Sequence, residues 1–249
     1  MSQESGARAR PTPAELAVIS AGAARGLFQA SRARLWRDAA VTFTGPFGAV
    51  GAMQALLLGG QACDLFVSTH TMLESLARDG HVLSHTIAPL GRVGTGVAVR
   101  LGEPWPDVSD ATRLRANLLA CSGLWVPDTQ RSTAGRHVAA MLDALGIGAQ
   151  MASRLREHEH GAAAMTALAA SDAALAIGCT QVSEILAVPG VTLVAPLPPA
   201  FALATQYSAA VCARAASPEA ALRAIAVLAG PASAALRRRA GFDPPAPAP

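Results

Sequence analysis

The sequence contains no lysine, and all 20 of its basic residues are arginine. Without a lysine, the chain cannot form a Schiff base with a substrate or hold a pyridoxal cofactor covalently. Aromatic residues make up only 4% of the chain, so aliphatic side chains must fill the core. We expect the protein to work without a cofactor.

Cysteine is scarce, and its spacing excludes the common metal-binding patterns. No Cys-X-X-Cys pair occurs among the four cysteines, which are Cys63, Cys121, Cys179 and Cys212. This spacing predicts reduced and mostly buried thiols. A histidine-rich motif, "HEHG" at 158–161, lacks further ligands at a supporting spacing and predicts a solvent-exposed turn. We therefore predict no metal site.

Basic and acidic residues nearly balance, and the formal net charge is only +3. The arginines are scattered, apart from Arg237-Arg238-Arg239, which we expect to stabilise the C-terminal end of the last helix. A protein that binds nucleic acid usually carries a concentrated basic surface. We therefore do not expect a nucleic-acid partner.

Long apolar runs are missing as well. No stretch of 18 or more apolar residues occurs, which predicts that the chain does not insert into a membrane. No apolar segment precedes the first predicted strand, so a secretory signal is not visible and a cytoplasmic location is expected. A misassigned start codon would instead make the protein periplasmic, where an ABC transporter could be its partner.

Short apolar runs alternate with helical patterns along the chain. The predicted strands are "LAVIS" (16–20), "VTFTG" (41–45), "DLFVS" (64–68), "VGTGVAVR" (93–100), "LWVPD" (124–128), "ALAIGC" (174–179) and "VTLVAPL" (191–197). The predicted helices cover 23–37, 48–59, 70–78, 109–118, 132–145, 160–170 and 217–239. This alternation predicts an α/β fold with mostly parallel strands.

The order of these elements predicts two α/β lobes with a ligand cleft between them. We expect the first lobe to comprise 15–94 and 199–242, and the second to comprise 95–198. Residues 1–14 are expected to form a disordered arm, and 243–249 a Pro-rich tail. In open α/β sheets, ligands bind at the carboxyl ends of the strands.

Four predicted strand-to-helix junctions are rich in small or polar residues. Small residues allow the backbone to approach a ligand, and hydroxyl and N–H groups donate hydrogen bonds to its oxygen atoms. We therefore predict an anion site formed by these junctions. The candidate ligand-binding residues are Ser20, Gly22, Phe47, Gly48, Arg131, Ser132, Thr133, Ala134, Cys179, Thr180 and Gln181.

Several segments carry a resemblance to a known family. The most specific are "VISAGAARGLF", "GGQACDLFVSTHTMLESLARDGHV" (59–82), "GRVGTGVAVRLGEPWPDV" (91–108) and "LAGPASAALRRRAGF" (228–242). In these segments the chain resembles type II periplasmic-binding proteins, in the branch of the molybdate-binding proteins. The resemblance covers 15–242 and implies a two-lobed α/β fold. It also implies that Asp64 has a structural role.

The sequence departs from the molybdate binders within the predicted site. The second junction, "GPFGA", has no hydroxyl, and Cys179 stands where the resemblance leads one to expect a tyrosine. The segment "AIGCTQVSEILAVPGVTLVAPLP" (176–198) is similar to a neighbouring branch that carries Ile-Gly-X-Gln-Gln-X-Ser-Glu and includes proteins similar to aconitate isomerase. This similarity implies a small organic acid as ligand, with Phe47 as an apolar wall for its carbon skeleton.

The two branches imply two different functions. The first is an isomerase that moves a double bond in a di- or tricarboxylate by proton transfer, with His137 or Tyr207 as the base. His137 follows a predicted helix start, which favours a neutral imidazole, and Tyr207 is the single tyrosine. The alternative is a non-catalytic solute-binding protein of an ABC transporter, for a molybdate-like oxyanion or an organic acid. A packed or solvent-exposed role remains open for both residues.

Overall fold

The computed structural model describes residues 12–245. The predicted arm and tail therefore lie largely outside the described residues. The strands are β1 (Ala14–Ala21), β2 (Val41–Thr44), β3 (Phe47–Gly48), β4 (Leu65–Thr69), β5 (Ala88–Arg100), β6 (Gly123–Pro127), β7 (Leu155–His158), β8 (Ala176–Gln181), β9 (Val191–Pro196) and β10 (Ala204–Val211).

Helices follow most of these strands, as the alternating pattern predicts. They are α1 (Arg25–Ala39), α2 (Val50–Leu58), α3 (His70–Arg78), α4 (Ala111–Ala120), α5 (Thr133–Ala144), α6 (Gly148–Met151), α7 (Gly161–Ala170), α8 (Val182–Leu186), α9 (Pro218–Ala229) and α10 (Ala234–Arg239). Short 3₁₀ turns complete the chain, including one at Gly22–Ala24 between β1 and α1.

The sheet has a parallel group of strands at each end and an antiparallel pair in the middle. Its order is β2-β1-β4-β10-β5-β8-β6-β7, with β3 added beside β1 and β9 beside β5. Strand β10 runs antiparallel to both β4 and β5, and β5 runs antiparallel to β8. This arrangement confirms the predicted α/β fold of the periplasmic-binding-protein type.

The apolar cores fall on the two sides of the β5–β10 pair. Two clusters draw on β1, β4, β10 and the helices α1, α3 and α9, and include Phe28 and Phe66. Two others draw on β6, β8 and the helices α4, α5 and α7, and include Leu124 and Met165. The cores are thus consistent with two lobes, whereas the exact lobe boundaries stay a prediction.

The long helix predicted over 217–239 is wrong in one respect, because it is two helices. Helix α9 ends before Gly230, and a 3₁₀ turn at Pro231–Ser233 precedes α10. Proline lacks the N–H that would continue the helical hydrogen bonds, so the chain bends at this point. Among the described residues no single helix is long and apolar enough to span a membrane. The bent pair Pro218–Ala229 and Pro231–Arg239 meets only the criteria of length and composition.

Asp64 ties three chain segments together inside the first lobe. The carboxylate is 5% exposed and accepts hydrogen bonds from the backbone N–H groups of Ala17 and Ser217, both at 2.9 Å. The first partner lies on β1 and the second precedes α9. Asp64 therefore has the structural role that the resemblance implies.

Replacing Asp64 with alanine should destabilise the protein without touching the ligand site. We expect Asp64→Ala to lower the free energy of unfolding by about 3 kcal/mol, because each buried N–H left without an acceptor costs about 1–3 kcal/mol. Chemical denaturation followed by circular dichroism measures this loss. The exposed Asp143 provides the control, and an equal loss in Asp143→Ala would contradict the expectation.

Candidate functional site

A small cavity lies where the loops of both lobes meet. Its walls come from the turn after β1, the start of α2, the start of α5, the residue before α7, the β8–α8 junction and β10. Its volume is about 20 Å³. The lining residues are Ala21, Gly22, Ala23, Gly48, Ala49, Val50, Ser132, Thr133, Ala134, His160, Gln181, Glu184 and Tyr207.

Two helix N-termini point at this cavity from opposite lobes. Helix α2 begins after Ala49, and no side chain caps its first N–H groups. Helix α5 begins after Ser132, whose hydroxyl accepts a hydrogen bond from the N–H of Gly135 at 3.4 Å. The first amides of a helix lack partners within the helix and carry partial positive charge. Together the two helix starts favour an anion between the lobes.

Glycine at two positions keeps space open around the cavity. A Cβ atom on Gly22 would lie 2.7 Å from Oε1 of Glu184, and one on Gly48 would lie 2.8 Å from Cε of Met53. At residue 22 an added side chain would meet the buried carboxylate of Glu184, whereas at residue 48 it would meet the flexible end of Met53, which can move aside. The turn after β1 can therefore approach Glu184 closely only because residue 22 is a glycine.

Glu184 places a buried carboxylate in the cavity wall. The side chain is 5% exposed, and its Oε2 accepts a hydrogen bond from Oγ1 of Thr180 at 2.7 Å. The backbone N–H groups of Gly161 and Ala162, at the start of α7, also donate to this carboxylate. Burial raises the pKa of Glu184 above its usual range, and these hydrogen bonds and the charge of Arg25 oppose part of that shift.

His160 and Tyr207 present two further polar groups to the cavity. Nδ1 of His160 accepts a hydrogen bond from the N–H of Ala163 at 3.0 Å, so the ring caps α7. Burial lowers the pKa of His160, which favours the neutral ring. Tyr207 is 2% exposed, and burial together with Glu184 raises its pKa. The phenol therefore remains a neutral hydrogen-bond donor.

The structure brings seven of the predicted site residues to this cavity. They are Gly22, Gly48, Ser132, Thr133, Ala134, Gln181 and Tyr207. Gln181 also ties β8 to β5, since its amide nitrogen can donate to the carbonyl oxygens of Val93 and Gly94 at 3.1 and 3.3 Å. Thr180 does not line the cavity but holds Glu184 from behind. Their roles as ligand contacts stay predictions.

The other predicted residues lie away from the cavity. The hydroxyl of Ser20 donates to the carbonyl of Ala21 at 3.0 Å, and the exposed Arg131 donates its N–H to Asp128 at 2.9 Å. Phe47 packs edge to face against Phe28, with ring centroids 5.4 Å apart. These contacts hold the loops that carry the cavity, but the structure does not place the three side chains in its wall.

Cys179 and His137 also face protein rather than the cavity. Cys179 is 1% exposed in the core of the second lobe, and burial raises the pKa of its thiol to about 12. Nε2 of His137 donates to the carbonyl of Phe201 at 2.8 Å and joins α5 to the return crossing between lobes. Neither side chain therefore lies where it could act as a base on a ligand in the cavity.

Sequence reasoning missed Glu184 and His160. The "HEHG" motif predicts an exposed turn, yet the structure places His160 at the start of α7 with its ring in the cavity wall. The sequence offered no strong signal for this cap, because histidine is not among the residues that commonly precede a helix as its N-cap. Glu184 falls on the last residue of the Ile-Gly-X-Gln-Gln-X-Ser-Glu pattern that 176–198 resembles, so that pattern was the available signal, although it does not show that the carboxylate is buried.

A wider cleft of about 580 Å³ opens outside the small cavity. Val50 and Thr133 line both spaces, and the wider cleft adds His70 and Arg136. Nδ1 of His70 lies 2.9 Å from the hydroxyl oxygen of Ser208. Residues 12–245 contain no group of three acidic, histidine or cysteine side chains placed to hold a metal ion.

Comparison with known proteins gives one family and several structures. The family described as "Bacterial extracellular solute-binding protein" matches residues 16–243. A search among curated proteins finds no match. The periplasmic molybdate-binding protein of Azotobacter vinelandii has a TM-score of 0.76 and 18% identity, covering 93% of this chain and 100% of that one.

Two further structures share the fold. The sulfate-binding protein SubI of Mycobacterium tuberculosis has a TM-score of 0.71 and 17% identity, covering 94% of this chain and 88% of that one. The tungstate ABC transporter structure from Geobacter sulfurreducens has a TM-score of 0.64 and 12% identity, covering 90% of this chain and 97% of that one. At such low identity the three structures establish a common fold.

These matches contradict the predicted isomerase. The matching family is described by solute binding, and the similar structures are named for molybdate, sulfate and tungstate. The prediction of an enzyme similar to aconitate isomerase is therefore wrong, and its alternative is favoured. The catalytic roles of His137 and Tyr207 depended on that prediction and are withdrawn with it.

Proposed function

Because the chain belongs to the family of bacterial extracellular solute-binding proteins, we propose that it binds a small inorganic oxyanion without chemical conversion. In this proposal the protein works outside the cytoplasmic membrane and delivers the anion to an ABC transporter. The lobes formed by 15–94 with 199–242 and by 95–198 close over the ligand.

One observation carries this proposal: the starts of α2 and α5 face each other across a cavity of about 20 Å³. Amide groups from both lobes can then donate to the oxygen atoms of a single anion, and neither lobe offers the full set alone. Such a geometry couples binding to closure of the lobes. A transporter can recognise the closed form and thereby distinguish the loaded protein from the empty one.

The size of the cavity favours an inorganic oxyanion over a di- or tricarboxylate. A volume of about 20 Å³ accommodates little more than a single water-sized sphere. A tetrahedral oxyanion needs only a slight opening of the loops, whereas a branched tricarboxylic acid needs displacement of Gly22, Gly48 or Ala134 from the wall. The apolar wall expected from Phe47 is also missing, because that ring packs on Phe28.

A ligand panel tests the proposed function. We expect at least one of molybdate, tungstate, sulfate and phosphate to raise the melting temperature by about 5–10 °C at a hundredfold excess over Kd. Citrate and aconitate should give smaller shifts, and NMR should detect no interconversion of cis- and trans-aconitate. A panel in which no oxyanion binds, or in which aconitate is converted, would contradict the proposal.

A further inference from the structure

Glu184 places a carboxyl group next to the anion that the cavity is proposed to bind. Its Oε2 is occupied by Thr180, and the N–H groups of Gly161 and Ala162 hold the same carboxylate. Its Oε1 lies close to Gly22, where an added Cβ atom would be only 2.7 Å from this oxygen. Gly22 itself lines the cavity. One oxygen is therefore held from behind, while the other lies beside the space for the ligand.

An ionised Glu184 and a bound anion would repel each other strongly. Both charges would lie in a site shielded from water, where electrostatic interactions are stronger than at the surface. A second anion close to the carboxylate raises the cost of its ionised form further. The conflict disappears when one proton lies between Oε1 and an oxygen of the ligand, because the contact then becomes a hydrogen bond.

The other charged or titratable groups around Glu184 do not remove this conflict. Arg25, at the start of α1, is the nearby cation that acts on the carboxylate, but its guanidinium donates to the carbonyl oxygen of Phe47 at 3.0 Å. His160, before α7, has a lowered pKa and stays neutral. Tyr207, on β10, has a raised pKa and keeps its proton. Glu184 is therefore the group in the wall whose protonation can respond to the ligand.

We propose that Glu184 and the bound oxyanion share one proton. An anion that arrives fully deprotonated then binds together with a proton from solvent, whereas an anion that carries a proton supplies it. The inference rests on the proposed function, since it concerns the same cavity. It makes Glu184 the residue that determines which protonation state of the ligand is bound.

Calorimetry on the unmodified protein tests the shared proton directly. Titrations with sulfate, molybdate and phosphate are performed in two buffers that differ in their enthalpy of protonation. Binding of sulfate or molybdate should take up close to one proton at pH values above the pKa of Glu184 in the free protein, and there the affinity should fall by up to about tenfold per pH unit as the pH rises. Binding of phosphate should take up little or no proton, because inorganic phosphate at these pH values already carries at least one proton that it can share with Glu184.

The variant Glu184→Gln separates this carboxyl from the other groups. A glutamine can accept from Thr180 through its oxygen and donate to the anion through its nitrogen, as the protonated acid does. We expect this variant to bind sulfate or molybdate with an affinity that does not change with pH. His160→Asn keeps an N-cap on α7, and it should retain the pH slope of the unmodified protein even where its affinity differs.

The outcomes are distinct. A slope that is present in the unmodified protein and absent from Glu184→Gln supports the inference. An affinity independent of pH in the unmodified protein, or an unchanged slope in Glu184→Gln, overturns it and leaves oxyanion binding standing. Failure of all three anions to bind at every pH overturns the proposed function and this inference with it.

Discussion

Thr133→Asp is expected to abolish oxyanion binding while the fold remains intact. Thr133 is the first residue of α5 and lines both the small cavity and the wider cleft outside it. An aspartate there places a negative charge on the route and in the wall of the anion site. Two unit charges 4 Å apart interact by about 4 kcal/mol at an effective dielectric constant of 20. The affinity for molybdate or sulfate should therefore fall at least about a hundredfold.

The same substitution should not weaken the helix. An acidic residue in the first turn of a helix stabilises it by about 0.3–1 kcal/mol, because it faces the positive end of the helix dipole. Ser132 keeps its hydrogen bond to the N–H of Gly135, so the cap remains. A pairing with the exposed Arg136 would offset little of the charge, since exposed ion pairs contribute little.

Thr133→Asn is the matched control, because asparagine has nearly the same shape as aspartate without its charge. Isothermal titration calorimetry should give this variant an affinity within about fivefold of the unmodified protein, a difference below about 1 kcal/mol. Equal losses in both variants would mean that side-chain size, not charge, causes the defect. Unchanged binding in Thr133→Asp would contradict an anion site between α2 and α5.

The parts of the site that sequence predicts are those with local signals. Small residues after an apolar strand mark the approach of Gly22 and Gly48 to the cavity, and a serine before a helical pattern marks the cap of α5 at Ser132. These features depend on neighbours a few residues away. The loops at the carboxyl ends of the strands follow from the α/β topology, so the general place of the site follows as well.

The residues that sequence misplaces depend on distant contacts. Cys179 lies two residues before the end of β8, where it is buried against the second lobe instead of reaching the loop. His137 lies one turn into α5, and its partner Phe201 is 64 residues away. Glu184 is buried because α7, β8 and the turn after β1 enclose it. No periodic pattern in a single segment contains that information.

Gly161→Ala should reduce both the stability of the protein and its affinity for the anion, because it displaces the carboxylate of Glu184. A Cβ atom at residue 161 would lie 1.9 Å from Oε2 of Glu184 and 2.1 Å from Oγ1 of Thr180. Both side chains are buried, at 5% and 0% exposure, so neither can move without breaking their mutual hydrogen bond. The displaced carboxylate must then move toward Gly22 and into the cavity.

We expect Gly161→Ala to lower the free energy of unfolding by about 2–4 kcal/mol, the range for breaking a buried hydrogen-bond network. Anion affinity should fall at least about a hundredfold, because Glu184 occupies the ligand space. Gly94→Ala is the control, since the nearest atom to its Cβ position is the carbonyl oxygen of Leu203 at 3.8 Å. Denaturation and calorimetry on both variants measure the two losses.

A double-mutant cycle identifies the carboxylate as the cause. In a Glu184→Ala background one of the two clashing side chains is gone and Thr180 is free to turn away from residue 161. Gly161→Ala should therefore cost at least about 1 kcal/mol less than in the unmodified protein. Simple addition of the two single losses would show that the clash lies elsewhere, in Thr180 or in the backbone of α7. A reduced cost would instead show that residue 161 must lack a side chain for the carboxylate of Glu184 to occupy its place at the edge of the anion site.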